Sequence, residues 1–308
     1  MFAKLFGALM APPMLAGLVP LAHDWRPDLV VSDAAEFAGP IIAAELGVPG
    51  ITKGFGALLP ERRVARVEEE LAPLWRSRGL EPRLYGGSYD HLYLDPYPPE
   101  LQPQAAAHVP RRQLMRPVSY TGPHVPAEEL PLPTARAERP LIYMTMGTVY
   151  NDATLLRGLV TVLADLDVRL LVTVGPQGDP ELLGEQPAHV RVERYVPQDT
   201  LLSRCDVVVS HAGSGTSIST LEHGLPQLCL PQGADQFDNA AAISSVGAGI
   251  ALMPGKATGD AVWTAVEQLL AQKSYRRAAR RQSASIAGMP SPDEVCSVLE
   301  NWRNQPIG

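Results

Sequence analysis

From Leu141 to Leu252 the chain repeats one pattern: a short apolar, β-branched run, a polar turn, then a stretch with helical spacing. The runs read as strands at 141–146, 168–174, 190–194, 205–210, 226–230 and 249–252. Helices are expected at 153–164, from about 198, at 216–223 and at 237–246. A run such as Cys205-Asp-Val-Val-Val-Ser210 is of the kind that is buried on both faces. Strands of that kind alternating with helices imply a doubly wound parallel α/β sheet. In such sheets ligands sit beyond the carboxyl ends of the strands. That rule disposes of Asp165-Leu-Asp167, which has metal-binding spacing but precedes a strand and reads as a solvated turn.

The front of the chain carries a βαβ unit: strand Asp28 to Asp33, helix Ala34 to Leu46, then Gly47-Val-Pro-Gly-Ile-Thr52 leading into the next strand. Residues 61–78 place Val64, Val67, Leu71 and Leu74 at helical spacing, with Glu68-Glu69-Glu70 as a solvated face. A Pro-rich connection is expected through Asp95-Pro-Tyr-Pro-Pro99. Residues 122–140, rich in Pro, Ala and Glu, read as a linker. Ser291-Pro292-Asp-Glu294 is a capping box that opens a last helix. The expected division is 1–121, linker 122–140, 141–285, and a C-terminal helical segment 286–308.

Composition excludes several classes. A net charge of −7 over 308 residues, with no basic run, argues against nucleic-acid binding. Three widely spaced cysteines form neither a disulfide framework nor a zinc pattern, which suits reduced thiols in a cytoplasmic protein. No histidine spacing suggests a metal site. Lys4 followed by an apolar stretch to Ala22 resembles a secretory signal, but Pro12, Pro13 and Pro20 interrupt it and the cleavage pattern is poor. An amphipathic helix is expected there, and no proline-free window reaches membrane-spanning length.

The densest chemistry lies between 195 and 239: Tyr195-Val196-Pro197-Gln198, then His211-Ala-Gly213-Ser214-Gly215-Thr216, then Pro231-Gln-Gly-Ala-Asp235-Gln236-Phe-Asp-Asn239. The strand at 205–210 delivers His211 at its carboxyl end. Gly213 and Gly215 permit a tight turn and close approach of a ligand. The helix that follows, with Ser214 or Thr216 near its N-cap, offers unpaired N–H groups and a positive dipole end to an anion. A Gly-rich connection whose histidine merely packs would look the same in isolation; the flanking motifs favour the anion site.

With these motifs the segment resembles the donor-binding signature of the glycosyltransferases that use UDP- or dTDP-sugars, in particular their bacterial natural-product branch. The resemblance covers nearly the whole chain and is specific from Leu141 to Leu252. It implies the GT-B fold of two Rossmann-like domains, inversion at the anomeric centre, no metal and no cofactor beyond the nucleotide-sugar cosubstrate. Residue by residue, it implies that Tyr195 stacks on the base and that Val196 and Gln198 meet base and ribose. His211 and Gly213, Ser214, Gly215 and Thr216 would meet the diphosphate, as would Thr148 after Gly147. Asp235 and Gln236 would hold the sugar hydroxyls. Ser219 stands where plant members carry a ribose-binding glutamate, a departure compatible with a deoxyribose donor such as a dTDP-sugar and also with a UDP-sugar bound differently.

On the acceptor side the resemblance implies a histidine base with an aspartate behind it. Asp33 matches the aspartate, although its place before the helix from Ala34 also suits an N-cap. No histidine matches the base; His23 precedes its strand and so lies on the opposite edge. The N-terminal domain therefore reads as truncated at its front, with a homodimer or a partner chain as ways of completing it. A hydrophobic small-molecule acceptor is implied, met by Phe55, Leu58 and the 61–100 segment. The alternative is an inactive nucleotide-sugar binder or the donor subunit of a two-chain enzyme.

Overall fold

The computed structural model describes residues 1–103, 106–119, 126–147 and 153–303. They form two compact units, 1–117 with 289–308, and 118–288.

The first unit opens with a continuous helix. Its first turns, Ala3–Met10, are wider π-type turns, and α1 (Ala11–Trp25) follows. This is the helix expected there, and the prolines do not break it. Pro12 and Pro13 stand where the π-type turns pass into α1, and Pro20 is carried within the helix. Ala3, Gly7, Ala11 and Leu15 recur every fourth residue and make a buried stripe. The stripe packs in one apolar cluster with Phe37, Ile41, Val67, Leu71 and Trp75. Leu9, Leu21 and Trp25 remain exposed. By length and composition Ala3–Trp25 is the one described helix able to cross a membrane.

There follow β1 (Val30–Asp33), α2 (Ala38–Leu46), β2 (Gly50–Lys53), α3 (Glu61–Val64), α4 (Val67–Ser77), β3 (Leu92–Asp95) and β4 (Arg112–Leu114). The strands pair in parallel in the order β1-β2-β3-β4. Three departures from the sequence expectation have physical reasons. Helix α2 starts at Ala38, because the Glu36 carboxylate accepts from the Ala38 and Gly39 N–H groups while the Asp33 carboxylate accepts from Ala35 N–H. The 61–78 helix divides at Ala65–Arg66. Residues 92–95 form a strand buried along its whole length, too short to show a period. The C-terminal helix, Pro292–Arg303, lies on this sheet: Val295, with Val298, Leu299 and Trp302, packs with Ile51, Leu92 and Leu94. Its capping box is formed, Ser291 Oγ accepting from Glu294 N–H and Glu294 Oε2 from Ser291 N–H.

The second unit contains β5 (Leu141–Thr145), α5 (Ala153–Ala164), β6 (Arg169–Thr173), β7 (Val190–Glu193), α6 (Gln198–Leu202), β8 (Val207–Ser210), α7 (Ser214–Glu222), β9 (Gln227–Cys229), α8 (Gln236–Ser245), β10 (Gly249–Ala251), α9 (Gly259–Ala271) and α10 (Lys273–Ala287). All pair in parallel in the order β10-β9-β8-β5-β6-β7. Every residue of β5 is buried. Ile142 and Met144 enter one apolar cluster and Leu141 and Tyr143 the other, so helices cover both faces. Leu130, in the stretch read as linker, is buried against the second of these clusters. Asp167 pairs with Arg139 at 2.8 Å and is 61% exposed, a solvated turn as its position implied.

Trp75, 1% exposed, is among the largest side chains in the core of the first unit. Trp75→Ala should cost about 3–5 kcal/mol, read from urea unfolding of that unit. A loss below about 1 kcal/mol would show that the cluster does not hold the unit together.

Candidate functional site

The strand order of the second unit reverses between β5 and β8. From β5 the chain proceeds outward to β6 and β7; from β8 it proceeds the other way to β9 and β10. Loops leaving the two neighbouring carboxyl ends therefore diverge, and a crevice lies between them. Gly147 follows β5 and His211 follows β8.

The two loops are built around the His211 ring. A Cβ at Gly147 would stand 2.6 Å from His211 Cε1, and one at Gly213 would stand 2.5 Å from His211 Nε2. Gly147 also has φ +76°, which favours glycine. Both glycines are thus required to leave room for the imidazole. His211 Nδ1 is buried without a hydrogen-bond partner among the described residues. Burial lowers the His211 pKa below its ordinary value, against a smaller opposing pull from the Asp235 charge. The ring is therefore a neutral donor-acceptor at neutral pH.

Helix α7 starts one residue beyond Gly213, which is its N-cap with φ −63° and ψ 144°. Ser214 stands next to the N-cap as expected, but neither it nor Thr216 makes a capping hydrogen bond. The N-cap makes no side-chain hydrogen bond, so the first N–H groups of the helix are left for a ligand. The Ser214 hydroxyl instead donates to Asp235 Oδ2 at 2.7 Å. Asn239 Nδ2 lies 2.9 Å from the same oxygen. Gln236 Oε1 accepts from the Gln232 and Gly233 N–H groups, at 2.7 and 3.0 Å, and shapes the loop before α8.

Tyr195 is 50% exposed beyond the end of β7, open to stacking. Val196, by contrast, is 3% exposed and packs with Leu141, Tyr143 and Leu201, so its side chain faces the core. Gln198 Nε2 lies 3.5 Å from Thr216 Oγ1, which joins the starts of α6 and α7. Thr148 lies outside the described residues. Ser219 Oγ is 2.6 Å from Ser119 Oγ, and Ser119 also donates to the Glu222 carboxylate. Sequence reasoning alone does not single out Asn239 or Ser119. Asn239 carries a signal all the same, since it stands four residues after Asp235 and so on the same helix face.

In the first unit Asp33 ends β1 with an exposed carboxylate whose Oδ1 accepts from Ala35 N–H at 3.1 Å. Among the described residues no histidine pairs with it. His23 bonds Glu45 instead, at 2.8 Å, and Arg78 bonds the same carboxylate. Leu58 is 1% exposed within a cluster that includes Tyr89 and Tyr93, with Phe55 partly buried at its edge. Among the described residues no group of three or more His, Cys, Asp and Glu side chains is placed to hold a metal ion.

A parallel sheet with this reversal, a histidine between two glycines and an uncapped helix start make a strand-end crevice suited to an anion. Residues 3–147 match the family model "Erythromycin biosynthesis protein CIII-like, N-terminal domain", and residues 157–302 match its C-terminal domain. The elloramycin glycosyltransferase ElmGT of Streptomyces olivaceus is 32% identical over 304 residues, covering 96% of this chain and 73% of the relative. The 3-alpha-mycarosylerythronolide B desosaminyl transferase of Saccharopolyspora erythraea is 31% identical over 328 residues, covering 98% and 76%. The solved structure of the spinosyn rhamnosyltransferase SpnG superposes with a TM-score of 0.84 at 29% identity, over 97% of this chain and 79% of that one. SpnG has also been solved with thymidine diphosphate and with spinosyn aglycone. The chain belongs to the erythromycin-CIII-like family of bacterial natural-product glycosyltransferases, and it spans about three quarters of the length of these relatives.

The packing of His211 is open to test. Gly213→Ala, with its Cβ against the ring, should displace His211 and weaken nucleoside diphosphate binding by about tenfold or more, the equivalent of one hydrogen bond to a charged group. Unchanged affinity by calorimetry would show that the ring is not held where the ligand binds.

Proposed function

We propose that this chain moves a sugar from a dTDP- or UDP-sugar to a hydroxyl of an apolar natural product, in the cytoplasm and with inversion. The observation that carries the reading is the strand-end crevice where His211, the open start of α7 and Asp235 adjoin. The diphosphate would lie on the α7 N–H groups and His211, which stabilise it as it leaves and ask for no metal. Tyr195 would stack on the base, with Gln198 and the backbone of Val196 beside the ribose. Gly215, Thr216 and Thr148 would border the phosphates. Asp235 Oδ1 and the Gln236 amide N–H groups make no hydrogen bond among the described residues and are left to meet sugar hydroxyls. As the acceptor oxygen bonds to the anomeric carbon, its proton passes to a base and the bond to the diphosphate breaks. Displacement from the opposite face inverts that carbon.

The deoxyribose donor is favoured over the ribose one. Ser219, at the position where a ribose clamp would stand, is engaged by Ser119, which also donates to Glu222 three residues on. Thymidine diphosphate in the SpnG structure agrees with this choice, and the spinosyn aglycone agrees with an apolar acceptor. Calorimetry without added metal should show dTDP binding tighter than UDP. His211→Ala should cost about 1.5–3 kcal/mol and Tyr195→Ala about 1–3 kcal/mol, with Tyr195→Phe unchanged. If neither nucleotide binds, the site assignment is wrong.

A second reading, a nucleotide-sugar binder or the donor subunit of a two-chain enzyme, is favoured by one observation: Asp33 has no histidine beside it among the described residues. The same unit has an interface to offer. Among the described residues β1 pairs on one side only, and Val31 on it and Leu9, Leu21 and Trp25 before it are exposed. On this reading a second copy or a partner chain pairs along that edge and brings a base to Asp33. Without a positioned histidine the rate should fall by roughly 10²–10⁴-fold. A transfer assay with dTDP-glucose and macrolide or phenolic acceptors, run beside sedimentation, tests this. Turnover of about 1 s⁻¹ or more by a monomer would discard the second reading and the need for a partner.

A further inference from the structure

We propose that Asn239 is a positioning residue that sets the Asp235 carboxylate for the donor sugar and ties it to the diphosphate loop. The proposal rests on the reading of the crevice as a nucleotide-sugar site. Asn239 is 0% exposed, in the first turn of α8. Its Nδ2 lies 2.9 Å from Asp235 Oδ2, 3.0 Å from the Ala212 carbonyl oxygen and 3.1 Å from Ser214 Oγ. One amide nitrogen therefore touches the loop after β8 and the loop after β9. Ser214 donates to the same Oδ2 at 2.7 Å. Two donors fix one oxygen of Asp235, and turning the carboxylate would break both. The other oxygen, Oδ1, is the one presented.

The position demands an amide. An apolar side chain would leave the buried Ala212 carbonyl without its donor and would free the carboxylate to rotate. An aspartate would set a second carboxylate against Asp235, and one of the pair would have to take up a proton. Ala212 adds a further demand. It holds φ +62° with no exposed surface, a conformation L-residues avoid, and Asn239 bonds its carbonyl oxygen. Loss of Asn239 should thus be felt first by the sugar contact at Asp235, and only second by the nucleotide.

The test is a double-mutant cycle on the full chain, with dTDP and dTDP-glucose titrated by calorimetry and melting temperature recorded for each variant. Asp235→Ala alone should weaken dTDP-glucose by about tenfold or more while leaving dTDP within about threefold. Asn239→Ala should do the same, and adding Asp235→Ala to it should bring little further loss. If Asn239→Ala does not fold, Asn239→Ser, which keeps one donor, takes its place under the same criteria. Equal weakening of both ligands by the Asn239 variant would mean a structural role only and would overturn the proposal. So would a full additional effect of Asp235→Ala in the variant background, or a dTDP-glucose affinity that neither substitution alters. A wild-type chain that binds neither ligand would instead overturn the functional reading, and this proposal with it.

Discussion

Strands β5 and β8 lie side by side in the middle of a six-stranded parallel sheet, and every residue of both is buried. Their backbone groups are consumed by the ladders on either side, Ile142 to Thr145 against Val207 to Ser210 and Leu141 to Thr145 against Arg169 to Thr173. Polar chemistry can begin only where those ladders stop. Because the chain leaves β5 and β8 in opposite directions, the stopping point is a gap between loops rather than a crossing of them. The crevice is a consequence of strand order. Its contents, a histidine between two glycines and an unpaired helix start, are then a matter of which residues the sequence puts immediately after Thr145 and Ser210.

The parallel sheet of the second unit was legible because buried strands and amphipathic helices leave different periods, and β5 to β10 each lie within two residues of their expected positions. The same logic failed where burial left no period to see. Leu92-Tyr-Leu-Asp95 is a strand set in a Pro-rich region, four residues long and buried throughout, and only its neighbours β2 and β4 make it recognisable. Caps were misread for a related reason. Asp33 and Ser214 both have the right side chain one or a few residues from a helix start, but Glu36 reaches the N–H groups of α2 and Ser214 is drawn off by Asp235. Competition among polar neighbours is a tertiary fact. Asn239 shows it most clearly, since its Nδ2 bonds two groups more than twenty residues away.

Two non-glycine residues of the second unit's site loops hold left-handed backbone, Ala212 at φ +62° and Ala234 at φ +54°. Each costs about 1–2 kcal/mol relative to ordinary backbone. They stand one in each loop, next to His211 and Asp235 respectively. Buried polar groups hold both loops in place: Ser210 Oγ accepts from the Ala212 N–H, Asn239 bonds the Ala212 carbonyl, and Gln236 Oε1 accepts from the two N–H groups ahead of Ala234. The strain is thus borne by residues whose own side chains are buried, Asn239 at 0% and Gln236 at 3% exposed. A loop held this way is set before any ligand arrives, so its donors need no rearrangement to meet charge that develops beside them. Left-handed alanines in the two loops mark where the sheet's packing energy is converted into fixed polar geometry.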